Sequence, residues 1–407
     1  MSNRGSRKVV IVSGVHDYRT PRRGSIQALA DALVRLGYQV TFLSVRFSPL
    51  SRLKGDHRTF LRSRANKPEN VDGVQCYLWR TPLHPFATGV AALDGLAGPL
   101  FSAYGALPNR FIDEELRTAS HVILESGLSI MLAHRARRLN PDARIIYRGS
   151  DALHTIGAPA ALAAELRKRA DVIDAFCLLA DKMAEDFGWA AAKTYIVPLG
   201  VHRGDFAAIG PSPYTGGTNA VTVGSMLFDR SFFHHAAARF PHVHFHLIGT
   251  GAPFEAPANV HIHREMRFRD TLPYIKHADF GIAAYRPSAN SGYLAQSSLK
   301  LMQYEYLGLP AVCPDYATGT SPHRFGYRSD DGASIEAAIG AAIAHGRFAG
   351  DSRFLSWEEV AERMLSPELY ADTAIRGKPR PPDRTRPTAP PAETTAATPS
   401  LSYKANY

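Results

Sequence analysis

KVVIVSGVHDYRTPRRGSIQALADALVRLGYQVTFLSV (residues 8–45) decides the fold. KVVIVSG is a short apolar run that ends at Gly14. After a polar loop, SIQALADALVRLG carries apolar residues at helical spacing, and Gly37 marks its stop. YQVTFLSV is again apolar and β-branched, so it reads as a second strand. Strand, loop, helix and strand in one stretch make a βαβ unit. Such a crossover joins parallel strands, so the sheet is parallel and covered by helices.

The pattern continues outward. HVILE (121–125), RIIY (144–147), AFCLL (175–179) and TYIVP (194–198) predict further strands of the same unit. A second series starts near residue 219 with AVTVGS, SFFHHAAARF, VHFHLIGTG and NVHIH. It ends with TLPYIKHA, DFGIAAY, SSLKLMQYEYLG and LPAVCP. The Gly- and Pro-rich stretch 198–218 between the two reads as a hinge. FLSWEEVAERML (354–365) reads as one amphipathic helix. The 407 residues are thus expected to form an N-terminal Rossmann-like domain (1–200), a second one (201–350) and a C-terminal helix (351–375) returning to the first. A Pro-rich basic tail (376–407) cannot bury a core and is expected to be disordered. Two such α/β domains facing across a cleft is the GT-B plan, with ligands bound beyond the carboxyl ends of the strands. Neither first strand is followed by a GxGxxG loop, which argues against a dinucleotide, and no cofactor is expected.

The net charge of +10 is not spread over the chain. Residues 46–67 hold seven Lys/Arg against Asp56, a balance of +6, and residues 376–407 contribute +4. The remainder is neutral, which favours a local anionic contact over a nucleic-acid-binding domain. In FSPLSRLKGDHRTFLRSR (47–64), Arg52, Lys54, Arg58, Arg62 and Arg64 are placed on lipid headgroups, with Leu50, Leu53, Phe60 and Leu61 dipping into the leaflet. The alternative is a solvated basic loop. PLHPFATGVAALDGLAGPLFSAYGALP (82–108) is either an apolar surface beside this patch or core. Cys76, Cys177 and Cys313 are too far apart in sequence to suggest a disulfide framework or a metal site, so a reducing cytoplasm is expected. No signal peptide and no spanning helix is read from the sequence.

Three segments carry candidate chemistry. YRGSDALHT (147–155) puts Asp151 just past a strand, where a carboxylate can take a proton from an attacking hydroxyl; otherwise it caps a helix. AQSSLKLMQYEYLGLPAVCP (295–314) sets Ser297 and Ser298 before a helix with Lys300 in its first turn. Free amides, helix dipole and ammonium suit a diphosphate; otherwise the helix is merely capped and the lysine solvated. VGSMLFD (223–229) is either a close-approach loop for a ligand or a tight βα turn. The alternating His242, His244, His246 and His261, His263 form strand faces, and no metal is assigned to them.

HDYRTPRR (16–23), SRLKGD (51–56), CYLWRT with HPF (76–86), ESG (125–127), YRGSD (147–151), GSMLFD (224–229), YIKHADFGIA (274–283), LKLMQYEYLGLPAVCP (299–314) and RFGY (324–327) together resemble the GumK-like β-glucuronosyltransferases, glycosyltransferase family 70, over about residues 8–370. The resemblance implies a GT-B fold. It implies an inverting transfer of glucuronate from UDP-glucuronate to the terminal mannose of a polyprenyl-diphosphate-linked oligosaccharide, without a bound metal. It makes Asp151 the general base and puts Lys300, Gln303, Tyr285, Glu265, Met266 and Met226 at the donor. Asp229 matches a functionally sensitive carboxylate of the family. Retaining GT-B enzymes commonly carry two Glu eight positions apart, where this chain has Ala295 and Gln303, which favours inversion. The chain departs at GVH (200–202), where the family has Gly-Val-Asp; His202 stands in for that carboxylate unless Asp205 does. Lys300 and Arg148 are both candidates to bind the donor carboxylate.

The expectation is therefore a monomeric, peripheral glucuronosyltransferase on the cytoplasmic face of a bacterial inner membrane, with no nucleic-acid partner. Its rivals are a GT-B-type UDP-sugar epimerase and a non-catalytic binder of anionic membranes or polymers.

Overall fold

The computed structural model describes residues 7–21, 23–53, 55–85, 98–151, 153, 160–251, 254–287 and 291–375. Lys54, much of the 82–108 segment and the 376–407 tail lie outside the described residues.

The opening stretch folds as expected. Strand β1 (Lys8–Ser13) leads into helix α1 (Ser25–Arg35) and strand β2 (Gln39–Phe47), which runs parallel to β1 with Val9 opposite Val40. Five of the six residues of β1 are buried, because a parallel strand with helices on both sides has no solvated face. The unit continues through β3 (Glu69–Val71), β4 (Val74–Arg80), β5 (His121–Glu125), β6 (Arg144–Gly149), β7 (Ala175–Leu178) and β8 (Thr194–Ile196). Among the described residues these eight strands form one sheet in the order β3-β4-β2-β1-β5-β6-β7-β8. Only β3 pairs antiparallel, joined to β4 by Asp72 (φ 49°) and Gly73 (φ 83°). An Asp-Gly pair with both φ positive matches the right-handed twist of a hairpin. This hairpin was not among the expected strands.

A second sheet, order β11-β10-β9-β12-β13-β14, is built from β9 (Thr218–Val223), β10 (Val243–Ile248), β11 (Val260–His263), β12 (Phe280–Ile282), β13 (Ala311–Pro314) and β14 (Arg324–Tyr327). All its pairings are parallel. Helices α2 (Arg230–Arg239), α3 (Phe268–His277), α4 (Leu299–Tyr306) and α5 (Gly332–His345) connect or flank the strands. Strand β14 and helix α5 were not anticipated.

The last helix, α6 (Trp357–Leu365), returns to the first unit and packs on α1. Its N-cap Ser356 and Glu359 form a capping box. Val201 forms a parallel bridge with Ser356, and Gly200 lies so close to the backbone of Ser356 and Trp357 that a Cβ there would collide. Trp357, Val360, Ala361, Met364 and Leu365 join the main hydrophobic core, which runs through both units. Arg35–Glu358 and Arg144–Glu368 (2.5 Å) pin the two ends of this C-terminal segment.

The 46–67 segment departs from the lipid-facing reading at two positions. Arg58 is only 1% exposed: its guanidinium pairs with Asp56 (2.8 Å) and donates to the carbonyls of Val45 and Arg46 (2.9 Å each). It is a pin inside the loop, since a buried guanidinium must satisfy its donors and no headgroup can reach it. Leu61 packs with Phe47 and Leu78 in a small core of its own. Arg52 and Arg62 are exposed, Arg64 pairs with Glu69, and Leu53 (83%) and Phe60 (55%) project into solvent.

Trp357→Ala should cost about 3–5 kcal/mol of stability, the range for deleting a buried aromatic side chain. Denaturant unfolding checks this, with the largest loss of amide-exchange protection expected along α1 and α6.

Candidate active site

Asp151 lies two residues past β6, and three backbone and side-chain contacts fix it there. Its N–H donates to Ser126 Oγ (3.3 Å), and Ser126 N–H donates to the Arg148 carbonyl (2.9 Å). Ser150 Oγ donates to Glu125 Oε1 (3.4 Å). The residues that Asp151 would cap, 152 and 154–159, lie outside the described residues. From the second unit, the Tyr293 hydroxyl reaches across to Asp151 Oδ1 (3.4 Å). Burial first, and the nearby negative charge of Glu125 second, push the Asp151 carboxyl up to about 7; Tyr293 and Arg148 pull it back. A carboxylate so poised accepts a proton near neutral pH.

The second wall is built at the carboxyl ends of β9 and β12. Ser298 caps α4, accepting from Leu301 N–H (3.2 Å), and its hydroxyl shares a hydrogen bond with the Tyr285 hydroxyl (2.6 Å). Lys300 Nζ donates to Thr222 Oγ1 (3.2 Å) and lies 5.3 Å from the Tyr285 ring centre. Burial raises the Tyr285 hydroxyl far above its usual value, so it stays a neutral donor. An antiparallel bridge between Phe228 and Tyr285 brings the turn carrying Met226 and Asp229 against this group. Met226 is 44% exposed, free to meet a ligand. The Asp229 carboxylate is engaged as the cap of α2, accepting from Ser231 N–H (3.0 Å) and Oγ (2.7 Å). Glu265 and Met266 lie on the loop from β11 to α3; Glu265 is exposed beside Gly249, and Met266 packs on the core.

The two walls meet. Asp181 N–H donates to Gln296 Oε1 (2.9 Å) across the seam, next to the Tyr293–Asp151 contact. A cleft of about 1360 Å³ is lined by Arg19, Arg23, His202, Phe268, Gln303 and Trp357 among others; neither Asp151 nor Lys300 lines it. His202 packs between the rings of Phe268 (6.0 Å) and Trp357 (6.1 Å), and burial lowers its pKa, so it is neutral at pH 7. Asp205 does not offer a free carboxylate in its place, because it pairs with Arg269 (2.8 Å). Of the two candidate cations for a donor carboxylate, Arg148 is wholly buried and Lys300 half-buried. The histidines of β10 and β11 pair with one another, His244 with His261 (3.1 Å) and His246 with His263 (3.2 Å). Tyr293, Thr222 and Ser126 were not singled out from the sequence. Tyr293 carries no local signal, since its role depends on a contact 142 residues away.

Two parallel-stranded sheets with a seam between their carboxyl ends are the GT-B fold. Solved structures share the fold. An α,α-trehalose-phosphate synthase (UDP-forming) from Burkholderia xenovorans, in complex with glucose-6-phosphate, matches with a TM-score of 0.50 at 11% identity, covering 91% of this chain and 97% of that one. TarM matches with a TM-score of 0.51 at 8% identity, covering 89% and 95%. Residues 11–179 fit the family described as glucuronosyltransferase GumK, N-terminal domain. A UDP-glucuronate:glycolipid 2-beta-glucuronosyltransferase of Xanthomonas campestris pv. campestris is 38% identical over 371 residues, 91% of this chain and 92% of the relative. The chain belongs to the GumK family of glucuronosyltransferases.

The raised Asp151 pKa has a consequence for stability that needs no substrate. The folded state holds this proton more tightly than the unfolded chain, whose Asp titrates near ~3.9. The ionised form is therefore a cost that grows from about pH 4 to about pH 7 and is full above that. Asp151→Asn should melt higher than the unchanged protein at pH 8, and the difference should vanish near pH 4, as read by thermal unfolding across pH.

Proposed function

We propose that this glucuronosyltransferase moves glucuronate from UDP-glucuronate, with inversion, to the terminal mannose of a polyprenyl-diphosphate-linked oligosaccharide in exopolysaccharide synthesis. The observation that carries this reading is the end-to-end similarity to a UDP-glucuronate:glycolipid glucuronosyltransferase.

In the reaction, Asp151 takes the proton of the acceptor hydroxyl as that oxygen bonds to the anomeric carbon. The bond from that carbon to the β-phosphate oxygen breaks on the opposite face, and UDP leaves with the electron pair. Charge grows on the diphosphate as it departs. Lys300 and the amides at the start of α4 supply positive potential there, an electrostatic role that costs no reorganisation. Gln303, Tyr285, Glu265, Met266 and Met226 line the donor, and Asp229 holds the turn that carries Met226. Supporting this division of labour, Asp151 follows the first sheet, Lys300 lies on α4 of the second unit, and Tyr293 of the second unit reaches Asp151.

The acceptor is amphiphilic, and the first unit has a matching edge. Exposed Leu53, Phe60, Leu83 (56%) and Leu100 (59%) accompany the exposed cations Arg52 and Arg62. No helix among the described residues is long and apolar enough to cross a membrane. We read this edge as a peripheral contact with the anionic cytoplasmic face of the inner membrane, made by a monomer whose first unit serves the acceptor and whose second serves the donor.

Asp151→Asn should cut turnover by roughly 10²–10⁴-fold, the contribution of a general base, while UDP affinity stays near that of the unchanged enzyme. Lys300→Ala should weaken UDP binding about tenfold or more, the loss of a charged hydrogen bond. Release of UDP from UDP-glucuronate, followed with and without lipid-linked oligosaccharide, together with UDP titration calorimetry, checks both. Wild-type turnover in the Asn variant refutes the base, and unchanged UDP affinity in the Ala variant refutes the clamp.

A further inference from the structure

Beneath Asp151, two neighbouring strands present opposite charges that the reaction as described does not use. Glu125 ends β5 and Arg148 lies directly opposite it on β6. Glu125 is 3% exposed; its carboxylate accepts from Ser13 Oγ and Ser150 Oγ and stands 3.8 Å from His16 Nε2. Arg148 is 0% exposed, and none of its three guanidinium nitrogens has a hydrogen-bond partner among the described residues. It also forms no ion pair there. Its neighbour on the same strand face, Arg144, reaches a carboxylate, Glu368, through Nη2, although its Nε has no partner among the described residues.

An unpartnered buried guanidinium is costly. An apolar side chain of similar size would serve packing better. What Arg148 supplies there is a charge close to two carboxylates.

We propose that Glu125 and Arg148 are positioning residues for the general base: Glu125 anchors the 149–151 turn through Ser150, and the two opposed charges together set how tightly Asp151 holds its proton. The inference rests on the reading of Asp151 as the base. The groups facing Asp151 are Glu125 from β5, Arg148 and Tyr147 from β6, and Tyr293 from the second unit; His16, from the loop after β1, faces Glu125 in turn. A base must be ionised to act, so its titration is the acid limb of the pH–rate profile. Removing the Glu125 charge favours ionisation and moves that limb down. Removing the Arg148 charge disfavours it and moves the limb up.

The experiment measures kcat/KM against pH for the full chain, Glu125→Gln, Glu125→Asp, Arg148→Met and Asp151→Asn, with UDP-glucuronate and lipid-linked acceptor. Expected are a limb lowered by on the order of one pH unit in Glu125→Gln, raised in Arg148→Met, and near its original place in Glu125→Asp. UDP affinity should be unchanged in all of them. A limb that stays put in both charge-removing variants, or moves the same way in both, overturns the proposal, because a purely structural role gives no opposite signs. If Glu125→Gln does not fold, Arg148→Met decides: its limb must rise. Asp151→Asn with wild-type turnover would sink the base itself, whereas an inactive Asn variant beside unmoved limbs would sink only the charge pair.

Discussion

A parallel strand covered on both faces can expose polar groups only beyond its ends, and this constraint arranges the whole site. β1, β5 and β6 bury their apolar residues along their length and turn polar at Ser13, Glu125 and Arg148. Ser150 and Asp151 follow one and two residues past β6. The second sheet obeys the same rule: Lys300 bonds Thr222 near the end of β9, and Tyr285 lies three residues past β12. At the seam between the two sheets, Tyr293 of the second unit reaches Asp151 of the first.

The sequence was most legible where this constraint leaves a pattern. Residues 8–45 read correctly as βαβ because burial on both faces demands unbroken apolar runs, and α6 read correctly because Trp357, Val360, Ala361 and Met364 recur at helical spacing. The β3–β4 hairpin was missed although Asp72-Gly73 is a strong turn signal, because β3 is three residues long with a polar sequence. β14 was missed for a related reason: RFGY carries an arginine and a glycine, as a partly exposed edge strand can. Asp151 was legible as a candidate from its place after a strand. Glu125 appeared as the end of an apolar run and as the first residue of ESG (125–127), and nothing in sequence spacing puts it beside Ser150. Arg58 was misread because composition counts a cation alike whether it faces lipid or, as here, ties down Val45 and Arg46 from within.

The basic segment therefore divides into two kinds of charge. Arg58 and Arg64 are held by Asp56 and Glu69 and stiffen the loop. Arg52 and Arg62 stand outside beside Leu53 and Phe60. A rigid loop with its apolar tips already exposed can meet an interface with little loss of conformational entropy, as preorganised binding surfaces do.

The return of α6 also bears on how the molecule is made. Trp357 and its helix close a surface of the first sheet, yet they follow the entire second unit in the chain. During synthesis from the N-terminus the first sheet must wait with that flank bare until some 150 further residues have emerged. A ribosome stalled in the second half of the message would leave a nearly finished first half with an apolar flank uncovered, the kind of surface that chaperones bind.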